Sequence, residues 1–362
     1  MTLKSERLKG PDGLRGFAAL WVVLYHLWSA LQRRDTDWVW GYVSDFFEYG
    51  FLGVDIFFVL SGFVIAYSLT GRFIDNLFVP RFLVRRSIRI DPPYWLTIVL
   101  ALIFIGMKNI VFQEYAEPLP SFENIFVHVL YLQDLLGYEA ISSVFWTLCL
   151  EFQFYIIFST LLWLFFKGKN ALLGNINGFV FVSVLCFVFL SVFFRFSSLS
   201  FPVSGTIIPY AYEFSLGIIA CQYITGRAHI NQLVVVCLIA FFCSYFYKGA
   251  IFAVVPIFAV VLMVGSAVGG KFFSFLNCRA LQYLGRISYS LYLTHAIVGW
   301  ATISFLVKIF SNWPSPFITV LIFLSGFSVS IIFANIFYVA VEKYFIGLSK
   351  KISRARVVNV RI

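Results

Sequence analysis

The chain has 362 residues, of which 61% are hydrophobic, 20% aromatic and only 12% charged, and 45 of them are Phe. Soluble domains carry about 25% charged residues, so the composition excludes a water-soluble protein and leaves no room for a large soluble domain. The net charge of +10 raises nucleic-acid binding as a reading, which the placement of the charges along the chain removes.

Apolar runs of about 20 residues, the length a helix needs to cross a bilayer, recur from end to end. Backbone groups in lipid must bond within their own segment, and the alternating pattern of a membrane barrel is absent, so these runs predict helices. In chain order the expected spans are 13–31, 51–70, 94–112, 143–166, 177–194, 207–224, 231–247, 250–268, 283–309 and 317–341. The expected fold is therefore all-α: a polytopic integral membrane protein with about ten transmembrane helices in one bundle. It forms a single domain, 1–362, whose last part, 343–362, is a basic tail. The charged opening, Met1 to Gly10, precedes a long apolar run with no small-residue cleavage site, which predicts a retained first span. Segment 123–136 is too short to cross and reads as an interfacial or re-entrant helix.

With both ends cytoplasmic, this topology puts 20 of the 27 Lys and Arg on the cytoplasmic side and six on the other, with Arg15 inside the first span. That split is the positive-inside pattern. The outer loops carry acid instead: Asp35, Asp37, Asp45 and Glu48 in one, Glu114, Glu117, Glu123, Asp134 and Glu139 in another. Topology thus accounts for the net charge without a nucleic-acid partner. The tail charges Lys350, Lys351, Arg354, Arg356 and Arg361 are expected to rest on anionic lipid heads. The six cysteines (Cys149, Cys186, Cys221, Cys237, Cys243, Cys278) show no metal-binding spacing or disulfide framework, and they read as buried small hydrophobes.

Ionisable groups in hydrocarbon cost several kcal/mol unless paired or wet, which makes each a functional hypothesis. Here they are Arg15, His26, Asp55, Glu151, Glu213 and His295. His26 lies 11 residues beyond Arg15, roughly 16 Å deeper at 1.5 Å per residue. Asp55 starts the next, antiparallel span, so the two are expected to meet in the outer half of the membrane. A carboxylate that orients an imidazole builds a general base; the alternative is a buried pair that locks two helices. His295, 12 residues into the ninth span at comparable depth, is open to the same two readings. Glu151 and Glu213, flanked by aromatics, fit a proton carrier, a sugar ligand or a helix lock. His128 and His229 lie in or near loops and read as ordinary.

In PRFLVRRSIRIDPPYW, Arg81, Arg85 and Arg89 recur every four residues and share a helix face, with Arg86 beside them. Guanidinium forks grip phosphate with two prongs; positive-inside bias and membrane-surface binding are the competing readings. Asp91-Pro92-Pro93 predicts a fixed turn into the third span, which would hold the arginines at the cytoplasmic mouth of the bundle.

Taken together, these segments resemble the acyltransferase family 3 membrane proteins, which include O-acetyltransferases of bacterial surface polysaccharides. The resemblance rests on PDGLRGFAALWVVLYH (11–26), GVDIFFVLSGFVI (53–65), RRSIRIDPPYW (85–95), WTLCLEFQFY (146–155) and LGRISYSLYLTH (284–295), in family order over nearly the whole chain. Thr147 stands where Ser is commoner. Phe152 replaces a frequent second acid, which speaks against a carboxylate pair there. With about 20 residues after Glu342, the resemblance is to the subgroup that lacks a C-terminal hydrolase-like domain. It implies transfer of an acyl group, usually acetyl, from cytoplasmic acyl-CoA to a hydroxyl of a glycan or glycolipid, in a bacterial cytoplasmic membrane. It implies His26 as catalytic base, to which the reading of the intramembrane ionisable groups adds Asp55, Glu151 and His295 as the expected catalytic set. Arg86 and Arg89, grouped with Arg15 and Arg85, would contact acyl-CoA. Acyl-CoA is then a co-substrate, and no permanently bound cofactor or metal is expected. Homo-oligomerisation is compatible with the sequence. A proton-coupled transporter of a lipid-linked or small anionic substrate, using His26, Asp55 and Glu151, is the reading from another class, and a small cytoplasmic acceptor is a third.

Overall fold

The computed structural model describes residues 9–31, 39, 41–70, 74–167, 205–269, 271–313 and 315–354, with 181, 184–186 and 188–191. Among these residues there is no strand. The long helices are α1 (Lys9–Leu31), α3 (Gly53–Leu69), α4 (Phe78–Val111), α7 (Trp146–Phe166), α9 (Ile230–Lys248), α10 (Ala250–Ala267), α11 (Arg279–Ile309) and α12 (Pro316–Phe337). The shorter ones are α2 (Gly41–Glu48), α5 (Phe122–Val129), α6 (Gln133–Leu136), α8 (Ala211–Ile224) and α13 (Lys343–Arg354).

Seven helical stretches among the described residues are long and apolar enough to cross a membrane: Lys9–Leu31, Gly41–Leu69, Phe78–Val111, Trp146–Phe166, Ala250–Ala267, Arg279–Ile309 and Pro316–Lys351. Two further expected spans are helical but shorter. The one at 207–224 is a 3₁₀ turn, Ile208–Tyr210, followed by the 14 residues of α8, and the apolar part of α9 is Ile230–Phe246. The expected span 177–194 lies mostly outside the described residues.

The turn expected at Asp91-Pro92-Pro93 is instead the interior of α4, an unbroken helix of 34 residues, about 51 Å long at 1.5 Å per residue. A hydrocarbon core of about 30 Å takes only part of that length, so the arginine-bearing start of α4 and the expected third span are one rod. Two prolines in succession remove the backbone donors that would serve Ile88 O and Arg89 O; close by, Thr97 donates to Pro93 O at 2.7 Å and Tyr289 to Ile90 O at 2.9 Å.

The chain divides into two compact units. The first comprises Met1–Leu20, Leu52–Phe78 and Gln153–Arg286. Its tightest packing is α3 against α8, where a Cβ on Gly62 would meet the backbone of Phe214 and one on Gly217 the backbone of Val59 and Phe63. Without a hydrophobic drive between helices in lipid, small residues that admit backbone contact are what hold spans together. Beside this contact Phe58 and Phe154 both stack on Phe214, with ring centroids 4.9 and 4.2 Å away.

The second unit comprises Trp21–Phe51, Val79–Phe152 and Ile287–Ile362. Here α11 and α12 meet at Gly299 and Gly326, against Ser330 and Ile303. Segment 123–136, expected as one short helix, is two, α5 and α6. They break at Tyr131, whose φ of 59° lies in the left-handed region. A bulky residue there is strained, and the contacts that hold it explain why it persists. Its ring stacks between Tyr94 (4.7 Å) and Phe152 (4.9 Å), and its hydroxyl donates to Asp91 at 3.0 Å. The segment begins near the far end of α4, where Glu117 contacts Lys108 and Asn109, and descends to Asp91. Those contacts are 18 residues apart on α4, about 27 Å of rise, so this segment is a hairpin that runs back along α4.

Candidate active site

Every side chain of the site described here belongs to the second unit. His26 sits on α1 and is half-buried. Its Nδ1 lies 3.0 Å from Val22 O, one turn back, and 3.2 Å from Nε2 of His295 on α11. The imidazoles meet edge to face with centroids 5.0 Å apart, and Tyr25 flanks His26 at 4.9 Å. His295 is fully buried, and its Nδ1 lies 2.9 Å from Leu291 O. Nε2 of His26 makes no hydrogen bond among the described residues.

One turn before His295, the buried Tyr292 hydroxyl contacts Thr147 Oγ1 at 2.7 Å and Val144 O at 3.2 Å, tying α11 to the start of α7. Glu151 lies one turn further along α7. A further turn before Tyr292 on α11, Tyr289 reaches α4 at Ile90, next to Arg89. His295 therefore stands six residues, roughly 9 Å of helix rise, from the contact with the arginine-bearing stretch. Arg85, Arg86 and Arg89 are each half-buried on α4. Arg86 lies over the Phe82 ring at 5.5 Å, the Arg85 carbonyl accepts from Ser349 of α13 at 3.0 Å, and the Arg89 guanidinium makes no hydrogen bond or ion pair among the described residues.

Asp55, in the first turn of α3 and 7% exposed, lies in the first unit, as do Arg15 and the fully buried Glu213. The expected His26–Asp55 pair thus joins residues of different units, and the partner that His26 has in its own unit is His295. His128, read as ordinary, has both ring nitrogens engaged with the backbone. Nδ1 donates to Asn124 O at 2.8 Å and Nε2 accepts from Ile141 N at 3.1 Å, which closes the hairpin.

Sequence reasoning missed Glu342. It is 2% exposed, and one carboxylate oxygen accepts from both the backbone N–H (3.1 Å) and the hydroxyl (2.6 Å) of Ser290. The expected last span stops at 341 and the expected tail starts at 343, so this acid fell between them. A π turn at Tyr338–Glu342 carries the helix on into α13 and sets the carboxylate against α11; such turns recur at functional sites. Glu342 so fixes the stretch of α11 that bears Tyr289, Tyr292 and His295.

The sequence matches the family described as Acyltransferase domain over residues 8–335. The chain belongs to acyltransferase family 3. Among curated family relatives it is 26% identical over 316 residues to the Listeria monocytogenes peptidoglycan O-acetyltransferase OatA, covering 78% of this chain and 48% of that one. It is 25% identical over 325 residues to the Staphylococcus aureus O-acetyltransferase OatA, covering 80% and 50%. To the Bacillus subtilis putative peptidoglycan O-acetyltransferase YrhL it is 32% identical over 159 residues, 41% and 23% of the two chains. The family 3 chain spans about half the length, or less, of these relatives. No solved structure matches it.

Proposed function

We propose that this protein is a membrane O-acyltransferase that moves an acyl group, acetyl by analogy with the named relatives, from cytoplasmic acyl-CoA to a hydroxyl of a cell-surface polysaccharide or glycolipid. The relatives named peptidoglycan O-acetyltransferases make a peptidoglycan sugar the first acceptor to try. The charge asymmetry of the loops supports a cytoplasmic membrane protein with both termini inside. On that topology the arginines face the compartment that holds acyl-CoA.

The observation that carries the chemistry is the nitrogen His26 leaves unbonded. Its Nδ1 faces a carbonyl oxygen at 3.0 Å, which can only accept, so Nδ1 bears the hydrogen and Nε2 holds a lone pair. A half-buried imidazole with a lone pair is a general base. The acceptor O–H breaks as its proton passes to Nε2, and the oxygen attacks the acyl carbonyl carbon. As the C–S bond breaks, the proton moves from Nε2 to the departing CoA sulfur, giving an ester and free CoA thiol. Arg86 and Arg89 hold the donor's phosphates; a fork of two N–H groups suits a phosphate as a lysine does not.

The test uses purified protein in detergent, where transport across a membrane cannot occur, with acetyl-CoA as donor and peptidoglycan fragments as acceptor. Thiol release together with esterified sugar supports transfer. Neither product, from protein that binds acetyl-CoA, overturns it. In the same assay the Arg86→Ala, Arg89→Ala double variant raises the KM for acetyl-CoA, and the double Lys variant recovers part of the loss. Unchanged donor binding in the Ala variant would make the cluster a topology signal alone.

A further inference from the structure

We infer that His295 is a positioning residue, which fixes the tautomer and orientation of His26 and does not itself exchange protons with substrate. The inference rests on the reading of His26 as the base. His295 is fully buried and both its nitrogens are occupied by protein, so neither can meet a substrate atom.

The hydrogen positions follow from what each partner is able to do. Leu291 O, 2.9 Å from His295 Nδ1, accepts only, so His295 carries its hydrogen on Nδ1 and its Nε2 is a bare lone pair. That lone pair points at His26 Nδ1, 3.2 Å away. With Val22 O also 3.0 Å from the same Nδ1, two acceptors converge on one N–H. The opposite tautomer of His26 would set a nitrogen lone pair against both at once. The line of donors, His26 Nδ1–H to His295 Nε2 and His295 Nδ1–H to Leu291 O, has one consistent direction, and it leaves His26 Nε2 free.

The carbonyl of Val22 is not sufficient by itself. It lies on the same helix as His26 and, at i−4, already accepts the His26 backbone N–H. His295 is the acceptor from a second helix, so it also fixes how the ring is turned. Its effect grows during the reaction: when Nε2 takes the acceptor's proton, the Nδ1–H becomes that of an imidazolium and a charge-assisted donor. A neutral imidazole is thus placed where other general-base histidines have a carboxylate. No proton passes to His295, whose Nδ1–H remains on Leu291 O.

The experiment reads tautomer and turnover separately. The chain has four histidines, so nitrogen-15 histidine labelling of the full-length protein in detergent gives a spectrum in which His26 is assigned by the His26→Ala variant. In the unsubstituted protein, His26 Nε2 is expected at the shift of a bare nitrogen. In His295→Leu, which fills the site without an acceptor, His26 is expected to show mixed tautomers. Its kcat should fall at least tenfold, with KM for acetyl-CoA unchanged; holding a catalytic histidine in the wrong tautomer costs up to about 10⁴ elsewhere. In His295→Gln the amide oxygen lies near the position of Nε2, and both the tautomer and most of the rate are expected to return. Loss of rate in the Gln variant as large as in Leu, with the tautomer intact, would mean that His295 acts on substrate and would overturn the proposal. Unchanged His26 shifts in His295→Leu would also overturn it. Mixed tautomers with undiminished transfer would remove His26 as base, and the positioning role with it.

Discussion

Replacing His26 removes two things at once, and the structure allows the two losses to be separated. With Ala, the base is gone, at a cost of about 10²–10⁴ in rate, equivalent to roughly 2.7–5.4 kcal/mol of barrier at 1.36 kcal/mol per tenfold. Ala also leaves His295 Nε2, on a fully buried residue, without a donor, and an unsatisfied buried polar atom costs about 1–3 kcal/mol of stability. His26→Asn divides these effects. Its amide nitrogen lies near the position of Nδ1 and can donate to His295, while nothing in it takes up a proton at neutral pH. The expected result is a melting temperature lowered in Ala and largely restored in Asn, with turnover per folded molecule lost equally in both. Specific activity from thiol release, corrected for the monodisperse fraction and set beside melting temperature, decides the matter. A folded Asn variant that turns over near the normal rate would refute the general-base assignment. So would an Ala variant whose only loss is stability.

Two further outcomes follow from packing and from the hairpin. Gly217→Ala places a methyl group against Val59 O and Phe63 N, backbone atoms that cannot turn aside, so α3 and α8 must separate. Thermal stability is expected to fall by the ~1–3 kcal/mol typical of overpacking, whereas Gly106→Ala, which meets nothing within 4 Å, should not lower it; equal melting temperatures would deny the close contact. In the hairpin, burial holds the His128 imidazole below the ordinary histidine range, against opposing pulls from the Asn124 carbonyl and Asp134. A folded value below the unfolded one of about 6.5 means that the stabilisation is fully present above that pH and is lost as pH falls through the folded value. Amide protection across 121–141, corrected for the intrinsic exchange rate at each pH, should fall on acidification below about pH 6.5, and in a His128→Leu protein it should not; the same response in both would place the pH sensitivity elsewhere.

The sequence by itself determined that the chain is helical and membrane-embedded, because the lack of water in lipid leaves apolar runs one way to satisfy their backbone. It also located the side chains that hydrocarbon makes expensive, His26 and His295 among them, since each stands out against an apolar run without any knowledge of its neighbours. Spacing was enough to bring Arg81, Arg85 and Arg89 onto one face, because a helix repeats locally.

What sequence could not supply was which of these groups meet. His26 and His295 are separated by 269 residues, and nothing in the chain between them signals that the two rings meet. Proline suggested a turn within α4, but the helix keeps its course through both prolines, and only the folded chain shows that a spanning helix absorbs them here. The π turn that brings Glu342 onto Ser290 lies within a continuing helix and is too small a change to disturb the hydrophobic pattern. Contacts between distant helices depend on the angle at which their surfaces pack, and that angle is written in no single segment. Tertiary structure therefore decided which nitrogen of His26 is left free.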